Sequence, residues 1–177
     1  NLRIISGEEF VLASNLIEAT PDALEFYFYL VIAYNQAEHW DDVLEVSRKA
    51  LEHVTPESDK QMVSDFYTII GDVYHTKKLM KEAYAAYDSA LVYNPSNIGA
   101  LNNYAYYLSV ERRDLDKAEE MSYKTVKAAP NNATYLDTYA WILFEKGNYA
   151  EARIYIDDAI KNTKPEEESS VVFEHCG

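Results

Sequence analysis

Four histidines, one cysteine and 30 carboxylates are the side chains of this 177-residue chain with obvious chemical potential. Their spacing argues against catalysis. His39, His53, His75 and His175 form no HExxH motif, and no two of them stand at i, i+4, so a helical zinc site has no ligand set. In "EHC", His175 and Cys176 put a base next to a nucleophile. Neighbours on a helix point about 100° apart, however, so the two do not face each other. Cys176 is the only cysteine; it excludes a disulfide framework and reads as a small packing residue. GxSxG, GxGxxG and a Gly-rich phosphate loop are all missing. The acidic run "PEEES" reads as a solvated loop. The expectation is a protein that is not an enzyme, with no metal and no cofactor.

Tyrosine is the other chemically rich residue, with 16 copies. Stacked tyrosines bind bases, but the net charge of −14 and pI near 4.6 oppose nucleic acid and anionic membranes alike. The charge is uneven: residues 1–63 hold 4 basic and 12 acidic side chains, whereas 98–132 hold 5 of each. No run of 18 apolar residues occurs, so no membrane insertion is expected in this span. Gly and Pro number only five each, too few for many tight turns, which favours helices.

The tyrosines lead to the elements. "LNNYAYYL" (101–108) and "LDTYAWIL" (136–143) share Leu, Tyr, Ala and Leu at relative spacings 0, 3, 4 and 7. Those spacings mark one face of a helix. "YTIIGDVY" repeats the stripe with Tyr67, Ile70, Gly71 and Tyr74, and "YFYLVIAY" with Tyr27, Leu30, Val31 and Tyr34. Each copy precedes a second amphipathic stretch whose inward residues are mostly small: Val43, Ser47 and Ala50; Ala83, Tyr87 and Ala90; Ala118, Ser122 and Thr125; Ala152, Ile156 and Ala159. Small contacts let helices approach closely. Pro56, Pro95, Pro130 and Pro165 follow and separate the units.

These units resemble tetratricopeptide repeats, helical hairpins of about 34 residues. The resemblance implies an all-α, right-handed superhelical solenoid. Residues 64–97 fit its pattern without a gap. The repeat at 98–132 needs one inserted residue near Arg113, and the one at 133–169 carries Pro165 one place late. The repeat at 24–63 has Val31 and Val43 where small residues are usual, and a longer loop, "TPESDKQ", after it. Residues 1–23 read as the second helix of a partial repeat, and 170–177 as the start of a truncated one. The expectation is one repeat domain, a fragment of a longer array. The style is similar to bacterial members, some of them envelope lipoproteins, which leaves a cytoplasmic or a periplasmic location in a Gram-negative cell.

In this family the concave groove is lined by fixed positions of the first helix of each repeat. Carried over, these are Glu25, Phe28, Ile32 and Asn35; Asp65, Thr68, Asp72 and His75; Gly99, Asn102, Tyr106 and Ser109; Thr134, Asp137, Trp141 and Phe144. The set holds four carboxylates and no Lys or Arg, so the acidic-peptide clamp of chaperone adaptors does not transfer. The implied function is a non-catalytic scaffold that binds a protein or peptide, basic or neutral, with an apolar anchor. Lysine at both Asp72 and Asp137 is expected to weaken that binding. Phe144 is expected to pack against the incomplete next unit. Two alternatives belong to other classes: self-association through the solenoid ends, where Val171, Val172 and Phe173 are apolar, and a regulatory domain of a larger enzyme.

Overall fold

The computed structural model describes residues 7–163, with side chains from Val11 onward. The expectations placed on Pro165, "PEEES", Val171 to Phe173, His175 and Cys176 lie outside the described residues. Nine helices and no strand occur among those described: α1 Gly7–Ala19, α2 Leu24–Gln36, α3 Trp40–Glu52, α4 Lys60–Thr76, α5 Met80–Tyr93, α6 Ile98–Val110, α7 Leu115–Ala128, α8 Ala133–Glu145 and α9 Tyr149–Asn162.

Packing groups them into two units, one ending at Asn97 and one beginning at Ile98. In the first unit α2 pairs with α3 and α4 with α5, while α2 also touches α4. Its core gathers Tyr27, Val31, Val43, Ala50, Phe66, Ile70 and Val73. In the second unit α6 pairs with α7 and α8 with α9, and α6 touches α8. Its core includes Val126, Leu136, Tyr139, Leu143, Ala152 and Ala159. The stripes at spacing 0, 3, 4 and 7 therefore face inward, where within each unit one hairpin buries apolar area against the other.

The turn inside each hairpin has one design. The amides of His39, Leu79, Arg113 and Asn148 donate to the carbonyls of Tyr34, Tyr74, Leu108 and Leu143 at 2.8–2.9 Å. One residue earlier, the amides of Glu38, Lys78, Arg112 and Gly147 donate to Asn35, His75, Ser109 and Phe144. This is the Schellman closure, which requires a left-handed residue at its centre. Glu38, Lys78, Arg112 and Gly147 hold that conformation, with φ of 58°, 62°, 53° and 83°. The residue inserted near Arg113 sits just beyond the closure. Asp114 takes it up at φ 41° and caps α7 with its side chain, which accepts from the Lys117 amide.

The loop between α3 and α4 is shorter than "TPESDKQ" suggests, because Lys60 and Gln61 are already helical. Asp59 starts α4 early: its Oδ1 accepts from the amides of Gln61 (2.7 Å) and Met62 (3.1 Å), which supplies partners for two otherwise unpaired donors.

Candidate functional site

The carried-over groove residues fall on one face of each first helix, because their spacing of three to four residues matches the helical turn. In the first unit Glu25 is exposed, and Phe28, Ile32 and Asn35 are half-buried. Phe28 meets Phe66 edge-on at 5.3 Å, which ties α2 to α4. Asp65 is half-buried and already engaged: its Oδ1 accepts from Gln61 Nε2 and Asn97 Nδ2, both at 2.7 Å. Asn97 is itself buried and also donates to Ser64 Oγ at 2.9 Å. Thr68 is buried and donates to the Ser64 carbonyl at 2.8 Å. Asp72 accepts from the hydroxyl of Tyr87, reaching across to α5. His75 is half-buried. Of the three carboxylates on this face, only Glu25 projects fully into water.

In the second unit Gly99 and Thr134 are exposed, Tyr106 and Trp141 are half-buried, and Ser109 is buried. Ser109 Oγ donates to the Tyr106 carbonyl at 2.6 Å. Asn102 is 7% exposed and Asp137 only 1%. Helix α8 packs against α6, α7 and α9 at once, which leaves it a narrow free face and encloses Asp137. Phe144 is 49% exposed; the next unit against which it is expected to pack lies outside the described residues. The Phe144 ring stacks on Trp141 at 5.8 Å and meets Tyr149 at 5.3 Å. Trp141, Phe144 and Tyr149 thus form a continuous aromatic surface at the end of α8. Tyr149 was missed in the sequence because it opens the next helix, outside the positions carried over.

The histidines have structural neighbours. His53 Nδ1 lies 2.9 Å from Asp22 Oδ1, and its ring stacks on Tyr27. His39 lies 3.5 Å from Asp42. Among the described residues no group of three His, Cys, Asp or Glu side chains is arranged to hold a metal ion. No described helix is long and apolar enough to cross a membrane.

Two of the hairpins also match a known repeat in sequence. The sequence model of the tetratricopeptide repeat matches residues 64–97 and 133–164, the hairpins α4–α5 and α8–α9. By sequence these two hairpins match the tetratricopeptide repeat. The crystal structure of MamA superposes with a TM-score of 0.69 at 19% identity, over 89% of this chain and 88% of that one. YrrB, a tetratricopeptide-repeat protein, gives 0.68 at 17% identity, over 96% and 82%. The pilF protein of Pseudomonas aeruginosa gives 0.68 at 21%, over 88% and 70%. At these identities the likeness is one of fold. No curated protein sequence matches the chain. The chain thus carries two hairpins that match the repeat, and the pairs α2–α3 and α6–α7 share the same turn closure.

Proposed function

We propose that this protein is a non-catalytic interaction scaffold that holds a peptide against the first-helix faces of its repeats. The observation that carries the reading is the exposed aromatic surface of Trp141, Phe144 and Tyr149. A half-exposed Phe stacked on Trp at a groove position is an anchor site for an apolar side chain, since exposed aromatic patches mark contact surfaces. The fold agrees with it: YrrB carries a peptide-binding site, an unusual one, on the same architecture.

The charge of the face enters through Glu25. Replacing Asp72 and Asp137 with lysine is a poor probe of groove charge. Asp137 is enclosed, and Asp72 holds Tyr87, so both changes would disturb the fold before they reported on binding. Glu25 is exposed and can be reversed safely. A phage-displayed library of random linear peptides, panned on the full chain, is expected to enrich peptides with one large apolar residue and no net negative charge. Phe144→Ala should weaken the selected peptide about tenfold, roughly 1.4 kcal/mol. Glu25→Lys should weaken basic peptides more than neutral ones. Enrichment of acidic peptides, or affinity untouched by both changes, would sink the reading.

A further inference from the structure

The two units contain the same cleft built with different chemistry. In the first unit it lies between α3 and α5 over α4, about 520 Å³ in volume, with Arg48, Glu52, Ile70, Tyr74 and Glu82 in its lining. Its cation is internal: Arg48 Nη2 donates to the Tyr74 hydroxyl at 2.7 Å. In the second unit the matching cleft, also about 520 Å³, lies between α7 and α9 over α8. An ion pair stands in the same register of both units, and in the second its members line the cleft. Lys77 reaches Asp41 at 2.8 Å in one, and Lys146 reaches Asp116 at 2.5 Å in the other.

Beside that pair the second cleft is rebuilt. In register, Tyr123 stands where the first unit has Arg48, Tyr139 replaces Ile70, Tyr155 replaces Ala86, and Glu119 replaces Leu44. The arginine has gone, while Glu151 keeps the place of Glu82 and aromatic and acidic groups have been added. Tyr123 is 45% exposed, and its ring leans on Tyr139 at 5.8 Å. Tyr139 in turn meets Tyr155 edge-on at 4.7 Å.

Two groups in this cleft stand open. Tyr139 is 4% exposed, yet among the described residues its hydroxyl has no hydrogen-bond partner, and it lines the cleft. Burial, followed by the charges of Glu119 and Glu151, pushes its pKa up to about 12, so the phenol stays neutral. The Glu151 carboxylate likewise has no ion pair among the described residues and borders the same space. By contrast Glu120 is held by Lys124 at 2.7 Å, and Asp116 and Glu119 share Lys146.

We propose that the cleft between α7 and α9 receives the guanidinium of an arginine from a partner protein, in the place that Arg48 fills from within in the first unit. A guanidinium is planar and forked: one face stacks on Tyr123 while its N–H groups donate to the Glu151 carboxylate and the Tyr139 hydroxyl oxygen. An ammonium provides the charge without the plane. This site opens between the second helices α7 and α9, with Tyr139 of α8 at its floor, and uses none of the groove positions carried over on the first helices.

The test is an NMR titration of the full chain, labelled on its tyrosine rings, with capped Ala-Arg-Ala and with its lysine and citrulline counterparts. Citrulline keeps the shape and loses the charge. The arginine peptide should give saturable shifts at Tyr123, Tyr139 and Tyr155, with citrulline at least tenfold weaker and lysine several-fold weaker. Tyr123→Arg places an arginine where the first unit has Arg48, at a position that is 45% exposed here, and should abolish the shifts at Tyr139 and Tyr155. Glu151→Gln should weaken them several-fold. Phe144→Ala and Glu25→Lys should leave them unchanged, which separates this site from the peptide-binding faces. A citrulline response equal to arginine, lysine binding as tightly as arginine, shifts that persist in Tyr123→Arg, or no saturable shift at these rings would each overturn the proposal.

Discussion

Single residues in this protein are chosen in pairs across the hairpin. Gly71 and Tyr87 show it most clearly. A Cβ on Gly71 would lie 2.8–3.0 Å from three atoms of the Tyr87 ring, and that ring is fully buried with nowhere to go. Gly71→Ala should therefore cost about 1–3 kcal/mol by overpacking, read as a lower denaturant midpoint at constant slope. The cost should shrink in a Tyr87→Ser background, because the equivalent hairpins pair larger residues, Val31 and Ala105, in register with Ser47 and Ser122. An undiminished cost would mean that helix geometry, not the ring, demands glycine. The size pairing was visible in the sequence once the repeats were aligned. The function of individual polar residues was not. Asp65, Asp72 and Asp137 read as a charged groove from their helical positions, yet two hold neighbours and one is enclosed. Helical spacing assigns a face, but long side chains on adjacent helices decide whether a carboxylate on that face meets water.

At the scale of elements, the helices were legible because the stripe at 0, 3, 4 and 7 recurs, and periodicity outweighs the modest propensities of Tyr and Val. The turns were less so. Only Gly147 announces a left-handed residue; Glu38, Lys78 and Arg112 look like ordinary polar links. They adopt positive φ because the Schellman bonds and the packed helices on both sides fix the path, at a steric cost of about 1–2 kcal/mol each. Lys78→Gly should recover part of it, raising stability by about 0.5–1 kcal/mol after the added chain entropy. Gly147→Ala should cost about 1 kcal/mol, and the cost is backbone alone, since nothing lies within 4 Å of the new Cβ. Thermal denaturation checks both signs. A Lys78→Gly variant less stable than the parent would show that the lysine side chain contributes more than its backbone loses. The arginine cleft escaped sequence reading for a related reason. Tyr123, Tyr139 and Glu151 come from three helices, and only register exchanges between repeats, such as Arg48 to Tyr123, hint at it.

For the whole molecule, the dominant long-range force is self-repulsion. The chain carries 30 acidic against 16 basic side chains, and several lysines are spent on local pairs: Lys49 with Glu45, Lys77 with Asp41, Lys124 with Glu120, and Lys161 with Asp158. Such exposed pairs contribute little each and are screened by salt, whereas repulsion among the surplus carboxylates sums over the molecule. Salt weakens both, and the larger sum decides. The melting temperature at pH 7 should therefore rise as NaCl increases from low to physiological strength and beyond, where the screening length falls to about 8 Å or less. pH separates the two contributions. Hydrogen bonds from Lys77, Lys49, Lys146 and Lys124, then their charges, lower the pKa values of Asp41, Glu45, Asp116 and Glu120. The stability from these pairs is present above the ordinary carboxylate range, near 4, and is lost only as pH falls through the lowered values. Between pH 7 and 5 the pairs stay intact while the chain moves toward its pI near 4.6 and the repulsion fades. The salt-induced rise should thus be smaller at pH 5 than at pH 7. A melting temperature that falls with salt at pH 7 would mean that the paired minority outweighs the unpaired excess, and the acidic surface would then stabilise this fold rather than strain it.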